Sequence, residues 1–380
     1  MSSSPVLNRR SWLKTTAAVA ATFTVGRTLL DTPARAQHEV DRSAKASEAA
    51  KINGNENPYG PAPAAVMAIV QNADHAFRYA TAEQSQKLVS LLAAANHVPA
   101  ESVVIGSGSA EILDNYALWL SKKGLGEVLT VQPGYLKFTG EMKTLGATIV
   151  ALPVGADMGY DLDAMAARVG PSTKCVYICN PNNPTGTLIA PDKLKAFCIE
   201  VSKKCPVLVD EAYLEISDNF EANTMAPLVA AGHNVVVTRT FSKIYGLAGQ
   251  RIGYGLMPPA VAKEVAALTT ARLNLLGLLA AIASFEDKDY VKETRAKIKA
   301  ERDKLCATLK ELNLRYAEPQ GNFIFFKTGQ PVASVQAKFE TEKVLVGRAF
   351  PPALDWCRIS IGTPEEMSLA HAALRKIFKA

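Results

Sequence analysis

An apolar run, Val207-Leu208-Val209, ends in Asp210-Glu211-Ala212-Tyr213. A second, Val235-Val236-Val237, leads into Arg239-Thr240-Phe241-Ser242-Lys243, with Arg251 eight residues past the lysine. Ligands of open α/β sheets bind outside the carboxyl ends of strands, so Asp210 stands where a carboxylate can keep a pyridine-type nitrogen protonated. Such a ring withdraws electrons from a substrate α-carbon and stabilises the carbanion left when a proton departs. Taken alone, Asp210 reads equally well as a helix N-cap, and a lysine beside a serine as a surface pair. Two further segments give them company. Asn180-Pro181-Asn182-Asn183-Pro184-Thr185-Gly186 is a dense turn after the strand-like run at Val176. Gly106-Ser107-Gly108-Ser109-Ala110-Glu111 lies between a β run and a helical pattern, where backbone N–H groups and a helix N-terminus make a phosphate cradle. It lacks the GKS or GKT ending of a nucleotide P-loop, and Glu111 breaks the dinucleotide pattern G-x-G-x-x-G.

The elements that must position these residues follow from periodicity. Val103-Val104-Ile105, Val128-Leu129-Thr130-Val131, Thr148-Ile149-Val150 and Val176-Tyr177-Ile178 are short β runs like those before Asp210 and Arg239, separated by helix-length segments. They are continuously apolar rather than alternating, which indicates a mostly parallel sheet covered on both faces. From about Val261 the chain turns to long helical segments rich in Lys and Glu, clearest from Asp287 to Leu312. Asn322–Phe326, Val344-Leu345-Val346 and Cys357–Ile361, with a closing helix from Pro364, suggest a small α+β unit. The expected organisation is a leader over 1–36, an arm over 37–65, a large domain over 66–270 and a small C-terminal domain over 271–380.

With 380 residues, 48% of them hydrophobic, the chain can bury a large core, which excludes a disordered or fibrous protein. The net charge of +6 is spread along the sequence and no zinc-finger spacing occurs, so neither nucleic acid nor a metal is expected. Asn8-Arg9-Arg10-Ser11-Trp12-Leu13-Lys14, the apolar run Thr15–Gly26 and Ala34-Arg35-Ala36 form a three-part export signal with an A-x-A cleavage site. The apolar run is far short of the ~20 residues a membrane-spanning helix needs, so a stable anchor is not expected. Six cysteines permit disulfides in an exported protein. Cys175 and Cys179, however, would lie ~13 Å apart on one strand, beyond bridging distance. Buried free thiols are the expectation for most of them.

Together the motifs resemble the pyridoxal phosphate (PLP) enzymes of fold type I, the class I/II aminotransferases, and within them the histidinol-phosphate aminotransferase branch. The likeness runs in order through NENPYG at Asn55, RY at Arg78, GSGSAE at Gly106, PGY at Pro133, NPNNPTG at Asn180, DEAY at Asp210, RTFSK at Arg239, GLAGQRIGY at Gly246 and RISIGT at Arg358. It implies that Lys243 carries PLP as a Schiff base and that Asp210 pairs with the pyridine nitrogen. Asn183 and Tyr213 would contact the ring 3′ oxygen. Ser109, Ala110, Thr240, Ser242 and Arg251 would hold the phosphate, with Tyr79 reaching it from the second subunit of a homodimer. Tyr135 would stack on the ring, and Arg358 would bind the substrate's carboxylate or phosphate. The implied reaction is a ping-pong transfer of an amino group from an amino acid, or an amine such as histidinol phosphate, to a 2-keto acid.

The leader resembles a twin-arginine (Tat) signal, with Trp12 where Phe is usual. That implies export by the Tat machinery, after folding, to the periplasm.

Departures cluster at the substrate end. Arg78-Tyr79-Ala80-Thr81 lacks the proline usual after RY, and Thr269–Leu279 lacks the usual aromatic and proline residues. Val346-Gly347-Arg348-Ala349-Phe350 replaces the common Arg-Asp pair, which leaves Arg348 as a second substrate-binding candidate displaced by one position. Two other functions use the same cofactor residues. A PLP-dependent decarboxylase, racemase or β-lyase differs in which bond at the α-carbon lies perpendicular to the ring. A non-catalytic PLP sensor would need a fused DNA-binding module, and none precedes Ile52.

Overall fold

The computed structural model describes residues 49–379. In chain order, β1 (Ala50–Lys51), α1 (Pro63–Asn72) and α2 (Ala82–Asn96) precede β2 (Val103–Gly106), α3 (Ser109–Lys122), β3 (Glu127–Gln132), α4 (Lys137–Thr144) and β4 (Thr148–Pro153). Then come α5 (Leu162–Arg168), β5 (Thr173–Cys179), α6 (Pro191–Val201), β6 (Val207–Asp210), α7 (Phe220–Asn223), α8 (Ala226–Ala230), β7 (Val235–Thr240) and β8 (Gly253–Leu256). The chain closes with α9 (Pro259–Ala266), α10 (Leu275–Glu286), α11 (Lys288–Glu311), β9 (Phe323–Lys327), α12 (Val332–Thr341), β10 (Val344–Leu345), β11 (Trp356–Ser360) and α13 (Pro364–Phe378).

Seven strands form one sheet in the order β2-β8-β7-β6-β5-β3-β4. Its pairs β7/β6, β6/β5, β5/β3 and β3/β4 are parallel, whereas β8 runs antiparallel to both β2 and β7. Side chains alternate between the faces, and each face packs into its own apolar cluster. Val207, Val209, Val235 and Val237 enter one cluster, and Leu208, Val236, Tyr177 and Cys179 the other. Burial on both sides is why these strands read as unbroken apolar runs. Register sets Cys179 of β5 beside Asp210 of β6, and Asp210 beside Thr238 of β7. The carboxyl ends of β5 and β6 are thereby brought level, β7 runs two residues further to Thr240, and Lys243 follows shortly after it.

The expected α/β fold of type I, with a smaller C-terminal α+β layer, is the fold observed. The described residues form one compact unit. Within it α10 packs on α1 and α2, and α11 lies against α13 and β9. In the C-terminal layer β9 and β11 pair antiparallel, while β10 pairs in parallel with β1 of the arm rather than with either of them. That pairing draws the arm across from one layer to the other. All six cysteines are unpaired, and five are buried. The expected leader over 1–36, with its export signal, lies outside the described residues.

Candidate active site

The carboxyl ends of β6 and β7, the cradle after β2, the arm and β11 converge on a cavity of about 380 Å³. Lys243, Asp210, Asn183, Tyr213, Ser109, Ala110, Tyr135, Thr240, Ser242, Arg251, Arg348 and Arg358 all line it. Of the expected site residues only Tyr79 stands elsewhere. It is 76% exposed on the surface, with the Arg272 guanidinium 5.1 Å from its ring centroid.

At one end of the cavity Asp210 is fully buried. Its Oδ1 accepts from the Ala212 N–H at 3.2 Å and its Oδ2 from the Tyr177 hydroxyl at 3.2 Å. Burial pushes its carboxyl up to about 6, against the hydrogen bonds that favour the ionised form. Lys243 Nζ donates to the Asn55 carbonyl at 3.0 Å. Burial, then the Arg358 charge, lowers its ammonium to about 8, opposed by the carboxylates of Glu56 and Asp210. A lysine so placed holds a substantial neutral fraction near neutrality, as a nucleophile or proton acceptor must.

The second end is a cradle. The Ser109 N–H opens α3 behind Gly108, whose φ of 83° suits glycine. Thr240 Oγ1 donates to Ser242 Oγ at 2.9 Å, and Arg251 donates to Ser242 Oγ at 3.3 Å and to the Ser107 carbonyl at 3.4 Å. Gly253 pairs with Gly106 across β8 and β2. A Cβ on Gly253 would meet the Gly108 carbonyl carbon at 2.5 Å, and one on Gly108 would run into Arg251. Close backbone approach is what forms this concavity of donors.

The third side belongs to the arm and β11. Arg358, 7% exposed, donates to Asn183 Oδ1 at 2.7 Å and to the Asn53 carbonyl at 2.8 Å, and its buried Nε has no protein partner. Tyr213 OH accepts from Asn55 Nδ2 at 3.2 Å and Asn183 Nδ2 at 3.3 Å. Arg348 and Arg358 both approach the Phe350 ring, at 4.4 and 4.9 Å from its centroid. Sequence reasoning assigned no role to Asn55, Glu56 or Phe350, all of which line the cavity. For Asn55 a signal existed, because it opens a turn-rich Asn-Glu-Asn-Pro segment, and its left-handed φ of 53° is a conformation asparagine tolerates.

The model of the aminotransferase class I and II family matches residues 48–374. The chain belongs to that family. It is 36% identical over 342 residues to a histidinol-phosphate aminotransferase of Symbiobacterium thermophilum, covering 88% of this chain and 92% of that protein. To the enzyme of the same name from Moorella thermoacetica it is 32% identical over 348 residues, 91% of this chain and 89% of the other. The crystal structure of histidinol-phosphate aminotransferase from Sinorhizobium meliloti in complex with pyridoxal-5′-phosphate superimposes with a TM-score of 0.77 at 29% identity, covering 87% of this chain and 91% of that one. The protein is thus a transaminase whose cofactor is PLP. Its cavity fits that cofactor: a buried carboxylate for the ring nitrogen, an amine for the aldehyde, and a cradle at which an added Cβ would collide.

Proposed function

We propose that Lys243, Asp210 and Arg358 are the working groups of a ping-pong transamination between an amino donor bearing an acidic group and a 2-keto acid. The convergence of these three side chains on one cavity carries the proposal. PLP, when bound, supplies an electron-withdrawing ring and the carbonyl that takes up the amino group. Lys243 Nζ would hold the cofactor between turnovers by condensing with that carbonyl, whose oxygen leaves as water. Asp210 keeps the ring nitrogen protonated, Asn183 and Tyr213 hold the 3′ oxygen, and Tyr135 covers the ring. Ser109, Ala110, Thr240, Ser242 and Arg251 retain the phosphate.

Arg358 binds the donor's carboxylate or phosphate and fixes its α-carbon toward Lys243. The otherwise unpartnered Arg358 Nε supports this reading, since a buried donor calls for an acceptor. Arg348, 4.4 Å from the Phe350 ring centroid, adds a second cation for an acidic substituent. Lys243 Nζ, once neutral and free, takes the α-proton of the donor, and as an ammonium it returns a proton to the α-carbon derived from the keto acceptor. The donor class includes histidinol phosphate, the compound in the names of the relatives.

Titrating the holoenzyme with amino acids and with histidinol phosphate, with and without 2-keto acids, tests this directly. Conversion of the cofactor absorbance to that of pyridoxamine phosphate, reversed by a keto acid, is the expected result. A shift without conversion would replace transamination by racemase, decarboxylase or lyase chemistry.

A homodimer is part of the same proposal. Met67, Val70, Phe77 and Tyr79 present large apolar surface on or just beyond α1, as an unburied interface would. Tyr79 of a second copy then completes the phosphate site. Sedimentation should give a dimer, and a fully active monomer would contradict it. Export is proposed from the leader. Replacing Arg9 and Arg10 by lysine should leave the protein in the cytoplasmic fraction, whereas unchanged periplasmic recovery would remove the Tat reading.

A further inference from the structure

Tyr177 lies in the middle of β5, two residues before the strand ends at Cys179. Parallel register places Cys179 opposite Asp210, so Tyr177 is the diagonal neighbour of Asp210 on the same face of the sheet. A diagonal pair is too far apart for short side chains, and tyrosine spans the gap. Its hydroxyl reaches Asp210 Oδ2 at 3.2 Å. Both residues are 1% exposed, and the Phe138 ring packs 5.2 Å from the tyrosine ring, so the contact is sealed from water.

We infer that Tyr177 is a positioning residue for the reaction: its hydroxyl holds the Asp210 carboxylate ionised and aimed at the cofactor's ring nitrogen. The inference rests on the proposed role of Asp210. Four neighbours of the carboxylate bear on it, Ala212, Glu211, Cys179 and Thr238. The Ala212 N–H fixes Oδ1 and leaves Oδ2 to be oriented by a side chain. The neighbouring Glu211 is engaged elsewhere, with Arg239, Thr224 and the Met225 N–H, and supplies no donor. Cys179 directs its thiol at the Pro181 carbonyl. Thr238, opposite Asp210 on β7, also favours the ionised carboxylate through its side-chain hydroxyl, so Tyr177 shares that task and is the hydroxyl that holds Oδ2. Burial, then the charge of Asp210, pushes its own ionisation well above the usual range, so it remains a donor throughout the working pH range. A hydrogen bond to an ionised acceptor is the stronger kind, and losing it favours a proton on the carboxylate at the expense of the ring nitrogen.

The test compares Tyr177→Phe, Asp210→Asn and Tyr116→Phe, each loaded with PLP labelled with nitrogen-15 in the ring. Tyr116 is a buried tyrosine on the same face whose hydroxyl has no partner, so its loss controls for packing. The ring-nitrogen chemical shift of Y177F is expected to move toward the unprotonated value, with PLP bound about tenfold more weakly. Y116F should match the parent enzyme in both readouts. An unchanged Y177F shift beside a displaced D210N shift would overturn the Tyr177 inference alone. An unchanged D210N shift would overturn the role of Asp210 and this inference with it. Equal effects in Y177F and Y116F would reduce Tyr177 to packing.

Discussion

Lys243 offers the sharpest quantitative test, because its reactivity is set by its surroundings. Burial, Arg358 and Arg251 lower its ammonium to about 8, while Glu56 and Asp210 pull the other way. Near pH 7.5 such a lysine is about one-quarter neutral, whereas an ordinary lysine is neutral in about one part per thousand, a difference of roughly 200-fold. Only the neutral amine combines with an aldehyde. The rate at which the apoenzyme takes up PLP, followed by absorbance in a stopped-flow instrument, should therefore rise with pH and level off above an inflection near 8. Arg358→Gln removes a neighbouring cation, so the inflection should move up and the rate at neutral pH should fall. Glu56→Gln removes an anion and should move the inflection down. An inflection remaining near that of free lysine in the parent enzyme, or one indifferent to both substitutions, would show that the amine is solvated and that the reasoning is wrong.

Other outcomes follow from packing. Arg239 and Glu211 form a fully buried ion pair at 2.9 Å, joined by Asn96, Thr224 and Tyr254, directly behind the ends of β6 and β7. Arg239→Met strands the Glu211 carboxylate and should cost ~3–5 kcal/mol in urea unfolding, with part recovered in the double variant with Glu211→Gln. Gly253→Ala should weaken PLP retention, measured by dialysis and absorbance, because its Cβ would press on the backbone of Gly108 and Ser109. Gly140→Ala in α4 meets nothing within 4 Å and should leave retention unchanged. Its helix should gain up to about 1 kcal/mol, read by thermal unfolding. Arg358→Lys keeps a charge but loses the fork that spans Asn183 and the Asn53 carbonyl, so KM for the amino donor should rise more than kcat falls.

Much of the cofactor end was legible in the sequence. β6 and β7 announce themselves as unbroken β-branched runs, and Asp210 and Lys243 stand just past their apolar parts, where strand ends place ligand-binding groups. β8 was hidden, because Gly253-Tyr254-Gly255-Leu256 carries two glycines that weaken any strand signal, and both are there for close packing against the cradle and α3. The arm's part in the site was hidden for another reason. Asn55 reaches Lys243, Tyr213 and Ser360 only because β1 pairs with β10, a contact between residues nearly 300 positions apart that no local pattern encodes. Tyr177 went unread because a sheet buried on both faces shows no alternation, so a tyrosine bonded to a carboxylate looks like one more core residue.

Reduction of the PLP-loaded enzyme with borohydride, followed by peptide mass mapping, tests the central assignment most directly. Covalent phosphopyridoxyl on the peptide containing Lys243, and its loss in Lys243→Ala, is the expected result. Label on another lysine, or undiminished label in the variant, would contradict the placement of the reaction in this cavity.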